Sequence, residues 1–210
     1  MRKTTVGIAV LLIATWLVTL GVTSQALAVD KRPPPRLVDN GDGTITDNLT
    51  GLMWEKKLSA DGSQGGNCTA DQASRSIHCV NNQYTWSSTG PGQPDGRLFI
   101  DFLARINTNL SNSNDGATVD DVCFAGHCDW RAPNIAELRT ILLAPFPCAI
   151  HPCTDPIFGP TQQSFYWSST TLAGDPFKAW GVSFHVFGNG GVLIAGKGAF
   201  FAARAVRGGR

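Results

Sequence analysis

The apolar residues of this chain change their spacing partway along, and that change decides the class of fold. Between residues 97 and 110, Phe99, Leu103, Ile106 and Leu110 recur at helical spacing, with Phe102 on the flank. In Trp180-Gly-Val-Ser-Phe-His-Val-Phe187 the period is two, so Trp180, Val182, Phe184 and Val186 share one face of a strand. Gly188-Asn-Gly-Gly191 then turns the chain back into Val192-Leu-Ile194, and Ala202 to Arg207 reads as a closing strand. A second helix begins at Asn134, where Glu137 three residues on completes a capping box; Ile135, Leu138 and Ile141 or Leu142 form its apolar stripe, and Pro145 stops it. Two main helices followed by antiparallel strands make an α+β arrangement.

The amino-terminal part adds strands of its own. Arg36 to Lys56 reads as a small antiparallel meander with turns at Asn40-Gly-Asp-Gly43 and Asn48-Leu-Thr-Gly51, because Asn-Gly and Asp-Gly adopt positive φ at low cost. Leu52-Met-Trp54 then enters the core. Residues 59–96, rich in Ser, Gly, Asn and Gln, read as a long decorated loop.

Met1-Arg-Lys3, the apolar run Val6–Leu20 and the small residues of Ala26-Leu-Ala28 have the order of a cleaved signal peptide over residues 1–28. The apolar run is shorter than the roughly 20 residues a spanning helix needs, so no membrane anchor is expected after cleavage. A short proline-rich linker, residues 29–35, leads to a single domain over 36–210. Cleavage leaves 182 residues and removes Arg2 and Lys3, taking the formal charge from +1 to −1. A chain so close to neutral has no global field to draw it to nucleic acid or anionic lipid, so a polyanion site has to be a local patch. Six cysteines, all beyond the signal, suit an oxidising periplasmic or extracellular compartment. Their neighbours in sequence give the simplest pairing, Cys68 with Cys79, Cys123 with Cys128 and Cys148 with Cys153. Closing so short a loop removes only about 2 kcal/mol of unfolded-state entropy, so these bridges pin loops more than they hold the domain together.

Three stretches carry a family resemblance: Asp39-Asn-Gly-Asp-Gly-Thr-Ile-Thr-Asp47 running on to Gly51-Leu-Met-Trp54, Asp129-Trp-Arg-Ala-Pro-Asn-Ile-Ala-Glu-Leu-Arg139, and Phe165-Tyr-Trp-Ser-Ser-Thr170. Their order and wording resemble the Lcl C-terminal domain family, the terminal module of a bacterial collagen-like adhesin, and the resemblance closes with Arg204-Ala-Val-Arg-Gly-Gly209. It implies a compact secreted module of C-type-lectin-like fold and, by analogy with the adhesin, binding of sulfated polysaccharide. The sequence holds no Gly-X-Y run, so the collagen stalk has no counterpart here.

Each motif that suggests chemistry has a plainer reading. The acids of Asp39–Asp47 suggest calcium, but the EF-hand positions for the bidentate Glu and the glycine are held by Thr50 and Thr44, and hairpin turns account for the residues. Gln93-Pro-Asp95 resembles the galactose tripeptide of calcium-dependent lectins; it lacks the downstream oxygen ligands and reads as a turn capping the helix at Arg97. His127 and His151 lie inside cysteine pairs and could join a zinc site, although the compartment favours disulfides. Ser168-Ser169-Thr170 has no nucleophile-elbow glycines. No cofactor or metal is called for.

Two handles for a ligand remain. Trp54, Trp130, Trp167 and Trp180 sit in core-like contexts, which leaves Trp86 as the tryptophan free to stack on a sugar. Lys197, Arg204, Arg207 and Arg210 form a local basic cluster near the carboxyl terminus. The expectation is a non-enzymatic binding module for surface carbohydrate or sulfated glycan. The alternative is a domain that binds an envelope or surface protein through the polar 59–96 loop, and an enzyme of the formylglycine-generating type ranks third.

Overall fold

A computed structural model describes residues 33–59, 68–69, 76–89, 92–108, 123–143, 148, 152–185 and 191–209. Residues 34–210 form one compact unit. Two antiparallel sheets carry the fold. The first has the order β1-β2-β3-β7, with β1 Leu37–Asp39, β2 Thr44–Asp47, β3 Leu52–Glu55 and β7 Val206–Gly208. The second has the order β4-β5-β6, with β4 Phe165–Leu172, β5 Asp175–Ser183 and β6 Val192–Gly196.

The meander follows from its turns. Gly41 and Gly43 sit at φ 80° and 87°, and Gly51 at 71°, where a side chain would be strained. Each acid of the first turn meets a local donor: Asp39 Oδ1 accepts from Gly41 N, and Asp42 Oδ1 from Thr44 N and Oγ1. The chain from 201 to 206 stitches the two sheets together, bridging Tyr84 at Phe201, Tyr166 of β4 at Ala202 and Arg131 at Val206.

The helices are shorter than the apolar spacing suggests, and "two main helices" overstates them. A π-helical turn, Leu98–Leu103, runs into a single α-helical turn, Ala104–Ile106, and together they make α1. The Ala104 N–H reaches back five residues to the Phe99 carbonyl, so the buried line becomes Leu98, Phe102 and Ile106. Phe102 is thus central, while Phe99 and Leu103 flank it; Leu110 lies outside the described residues. α2, Ile135–Thr140, starts on the expected capping box: Asn134 Oδ1 accepts from Glu137 N and Glu137 Oε2 from Asn134 N, both at 2.8 Å. It ends at Thr140, well before Pro145, because the Leu143 N–H turns to the Cys153 carbonyl and Leu142 bridges Thr154.

Two apolar clusters fill the interior. One gathers Trp86, Leu98, Phe102, Ile106, Trp130 and Trp167 between α1 and the second sheet. The other gathers Ile45, Leu52, Trp54, Leu138, Tyr166 and Val182 under the first sheet and α2. Trp180 departs from the core reading and is half-buried. All three sequential disulfides, Cys68–Cys79, Cys123–Cys128 and Cys148–Cys153, are formed. They fit an oxidising, exported environment. Among the described residues, no helix is long and apolar enough to cross a membrane, and no group of side chains is arranged to hold a metal ion.

Candidate binding cleft

Three of the residues singled out as ligand handles, Trp86, Lys197 and Arg204, are turned inward. Trp86 is buried, its Nε1 donating to the Ser168 carbonyl at 3.0 Å and its ring edge-on to Phe99. Lys197 is buried with it: Nζ stands 3.5 Å from the Trp86 ring centroid and donates to Gly92 O and Thr171 Oγ1, each at 2.9 Å. Burial lowers the Lys197 pKa. The pair ties down the 87–95 loop, whose Asp95 accepts from Ser87 Oγ, Ser88 N and Thr89 Oγ1. Asp95 therefore closes that loop and does not cap α1. Part of the described 59–96 stretch is also interior, since Ile77, His78 and Tyr84 are buried; residues 60–67, 70–75 and 90–91 lie outside the described residues.

Arg204 is 2% exposed. Its guanidinium clamps the carbonyls of Glu55 (2.6 Å), Phe158 (2.9 Å) and Pro160 (3.2 Å) and the Thr161 hydroxyl (2.9 Å). Beside it lies a buried ionic centre, in which Glu55 Oε1 meets Lys57 Nζ at 2.8 Å and His78 Nδ1 at 2.7 Å while Oε2 accepts from Ala205 N. Burial pushes the Glu55 carboxyl up, but Lys57 and His78 outweigh it and hold the pKa at about 2. Burial brings Lys57 down to about 8 against the pull of Glu55. Arg207 is near the surface but committed, with Nε 2.6 Å from Asp129 Oδ1. Arg210 lies outside the described residues. The basic cluster therefore does not form: Lys197 and Arg204 are used in separate parts of the interior, and Arg207 is neutralised.

Charge pairing recurs on the described surface. Arg36, Lys56, Arg97, Arg105, Arg131, Lys178 and Arg207 each face a carboxylate. Such pairs leave little net field at a Debye length of about 8–10 Å.

Among the described residues, a concavity that offers a ligand space lies elsewhere, between β1, the end of α2 and the short 3-10 turn Pro156–Phe158. It holds about 340 Å³ and is lined by Pro35, Arg36 and Leu37 on one side, Thr140 to Leu143 on another, and Asp155, Ile157 and Phe158 on the third. Sequence places these walls locally. Asp155 caps the 3-10 turn, its Oδ1 accepting from Ile157 N at 2.9 Å, with Pro156 at the first helical position. The Cys148–Cys153 bridge precedes it, and Thr154 Oγ1 donates to the Ile141 carbonyl, fastening the turn to α2.

The polar groups of the cleft are held rigidly. Arg36 donates twice to Asp47, through Nε at 3.2 Å and Nη2 at 2.8 Å, and Nη2 also reaches the Thr140 carbonyl. The bond to Asp47 raises the Arg36 pKa, with Asp155 adding a smaller electrostatic share. Among the described residues, Nη1 of Arg36 and Oδ2 of Asp155 make no hydrogen bond. One fixed donor and one fixed acceptor thus border walls of Leu, Ile and Phe, the composition of a small-molecule site. Nothing in the sequence marked these residues as a site: Asp155-Pro156 is legible as a helix cap, and Arg36 as the start of a strand.

No curated protein and no solved structure matches the chain. The family model described as the Lcl C-terminal domain matches residues 43–207, most of the compact unit that carries the cleft. The chain belongs to the Lcl C-terminal domain family.

Proposed function

We propose that the chain is an exported, non-enzymatic binding module of C-type-lectin-like fold that recognises a surface carbohydrate in the cleft between Arg36 and Asp155. The observation that carries this reading is the pairing of apolar walls with one immobilised donor and one immobilised acceptor. The C–H faces of a sugar ring suit Leu37, Leu142 and Ile157, a hydroxyl can donate to Asp155, and another can accept from Arg36. Arg36 is already paired with Asp47 and Asp155 adds a further negative charge, so a neutral glycan fits better than a sulfated one. A glycan array with and without calcium tests this on the wild type and on Asp155→Asn, which keeps the cap through its amide oxygen but removes the charged acceptor. Neutral-glycan binding that is calcium-independent and falls about tenfold or more in the variant supports the reading. Binding that the variant leaves intact and that Arg207→Gln removes would return the site to the carboxyl-terminal basic residues.

A second reading, docking to an envelope protein, is favoured by one feature. β6, Val-Leu-Ile-Ala-Gly196, is the edge of its sheet and carries no charge. The bonds from Ser183 N to Gly191 O and from Lys197 N to Phe177 O mark the pairs facing β5. Counting in twos, Val192 and Ile194 aim their backbone groups away from it. Ile194→Pro would remove one outward donor and spare the β5 ladder. Loss of a protein partner in that variant, with glycan binding unchanged, would support this second reading.

A further inference from the structure

The three disulfides are not equivalent. Cys68, Cys79, Cys148, Cys153 and Cys123 are all at most 9% exposed, whereas Cys128 is open to solvent. The loop closed by Cys123–Cys128 also contains Ala125 at φ 51°, the one described non-glycine residue in the left-handed region, followed by Gly126 at 71°. A β-carbon in that region is disfavoured and persists only where the surroundings impose it.

What the loop imposes is the seat of Phe124. The Phe124 ring stacks 4.2 Å from the His78 ring and 5.2 Å from that of Trp130. Its carbonyl accepts from Trp130 Nε1 at 3.0 Å. Gly43 leaves it room, since a β-carbon there would stand 3.2 Å from the ring. Phe124 is half-buried and His78 beneath it is buried, so the ring separates solvent from the side chain that holds Glu55. Trp130 has anchors of its own, with its N–H and carbonyl both bonded to the Asn107 side chain.

We propose that Cys123–Cys128 is a redox-sensitive clasp that keeps Phe124 as a plug over the buried Glu55–Lys57–His78 centre, and that a dithiol reductant opens it while the other two disulfides and both sheets stay in place. One thiolate of the reductant attacks the Cys128 sulfur. The S–S bond breaks, and Cys123 leaves as a thiolate that takes up a proton. The second thiol of the reductant then displaces Cys128 from the mixed disulfide, so the protein gains two thiols and the reductant becomes a disulfide. Ala125 relaxes out of the left-handed region, Phe124 leaves its seat and water reaches His78. The Asn107 bonds hold Trp130 and confine the change to residues 123–128.

The test is graded reduction of the purified chain with dithiothreitol, trapping of thiols by alkylation and mass mapping of the labelled cysteines. Cys123 and Cys128 are expected to label at least about tenfold faster than the other four, with a change in Trp130 fluorescence and faster exchange of the His78 ring proton signal. Ala125→Gly, which removes the disfavoured β-carbon, should slow that first reduction several-fold. An unchanged rate would overturn the strained clasp. For a plug without reductant, Cys123→Ser with Cys128→Ser should give the same fluorescence and exchange changes in a folded protein. Another disulfide opening first, all three opening together, or reduction that leaves Trp130 and His78 unchanged would overturn the proposal.

Discussion

At Glu55 and Arg204 the chain places full charges where water does not reach, and each survives because its hydrogen bonds are supplied by backbone and neighbours far apart in sequence. Glu55 gives a pH prediction. Its folded pKa, about 2, lies below the unfolded value of 4.5, so its contribution is complete above pH 4.5 and is lost as the pH falls through 2. The shift corresponds to stability on the order of 3 kcal/mol. Asp47, Glu137, Asp39 and Asp129 are also held below their ordinary values and act in the same direction. Urea unfolding between pH 5 and 2 should therefore show a steep loss of stability, shallower in Glu55→Gln; parallel curves for the two proteins would contradict the ionic centre. Arg204→Met removes the clamp on three carbonyls and should cost about 3 kcal/mol or more, since the acceptors stay buried without a donor. An exposed cluster arginine would cost almost nothing, so one urea titration separates the two placements. Sequence could not show this burial, because nothing in Arg204-Ala-Val-Arg207 distinguishes a buried guanidinium from an exposed one.

Elements formed by local rules were legible. The meander turns and the α2 capping box follow from glycine positions and from Asn134 with Glu137, each settled within a few residues. Asn134→Ala should cost about 1 kcal/mol. Glu137→Ala should cost more, because Glu137 also takes both Arg131 Nη1 and Nη2 at 2.7 Å, and Arg131 in turn holds the Gly208 carbonyl of β7. Equal costs would mean that the Arg131 link carries no weight. Where sequence reading erred, tertiary contacts decided the outcome. The wide turn at the start of α1 moved Phe102 from flank to centre, and the Leu143 bond to Cys153 ended α2 early. The segment around Tyr84 and Trp86 looked polar by composition, yet backbone bonds to Phe201 and Lys197 draw it into the core.

For the molecule as a whole, the α+β class, the antiparallel strands and the disulfide pairing could be read from period and spacing, whereas their division into two sheets and the site could not. A cleft is made by residues that meet only after folding, here 35–37, 140–143 and 155–158. The charge-paired surface predicts that a heparin column retains the protein weakly and releases it at low salt, with little change in Arg207→Gln, because that residue already faces Asp129. The glycan site is tested most directly by the affinity of wild type and Asp155→Asn for a neutral surface glycan chosen from the array, measured by calorimetry without calcium and compared with heparin. Binding of the neutral glycan should drop about tenfold or more in the variant at unchanged thermal stability, with heparin bound weakly by both. Tight heparin binding, or neutral-glycan affinity indifferent to Asp155, would contradict that site.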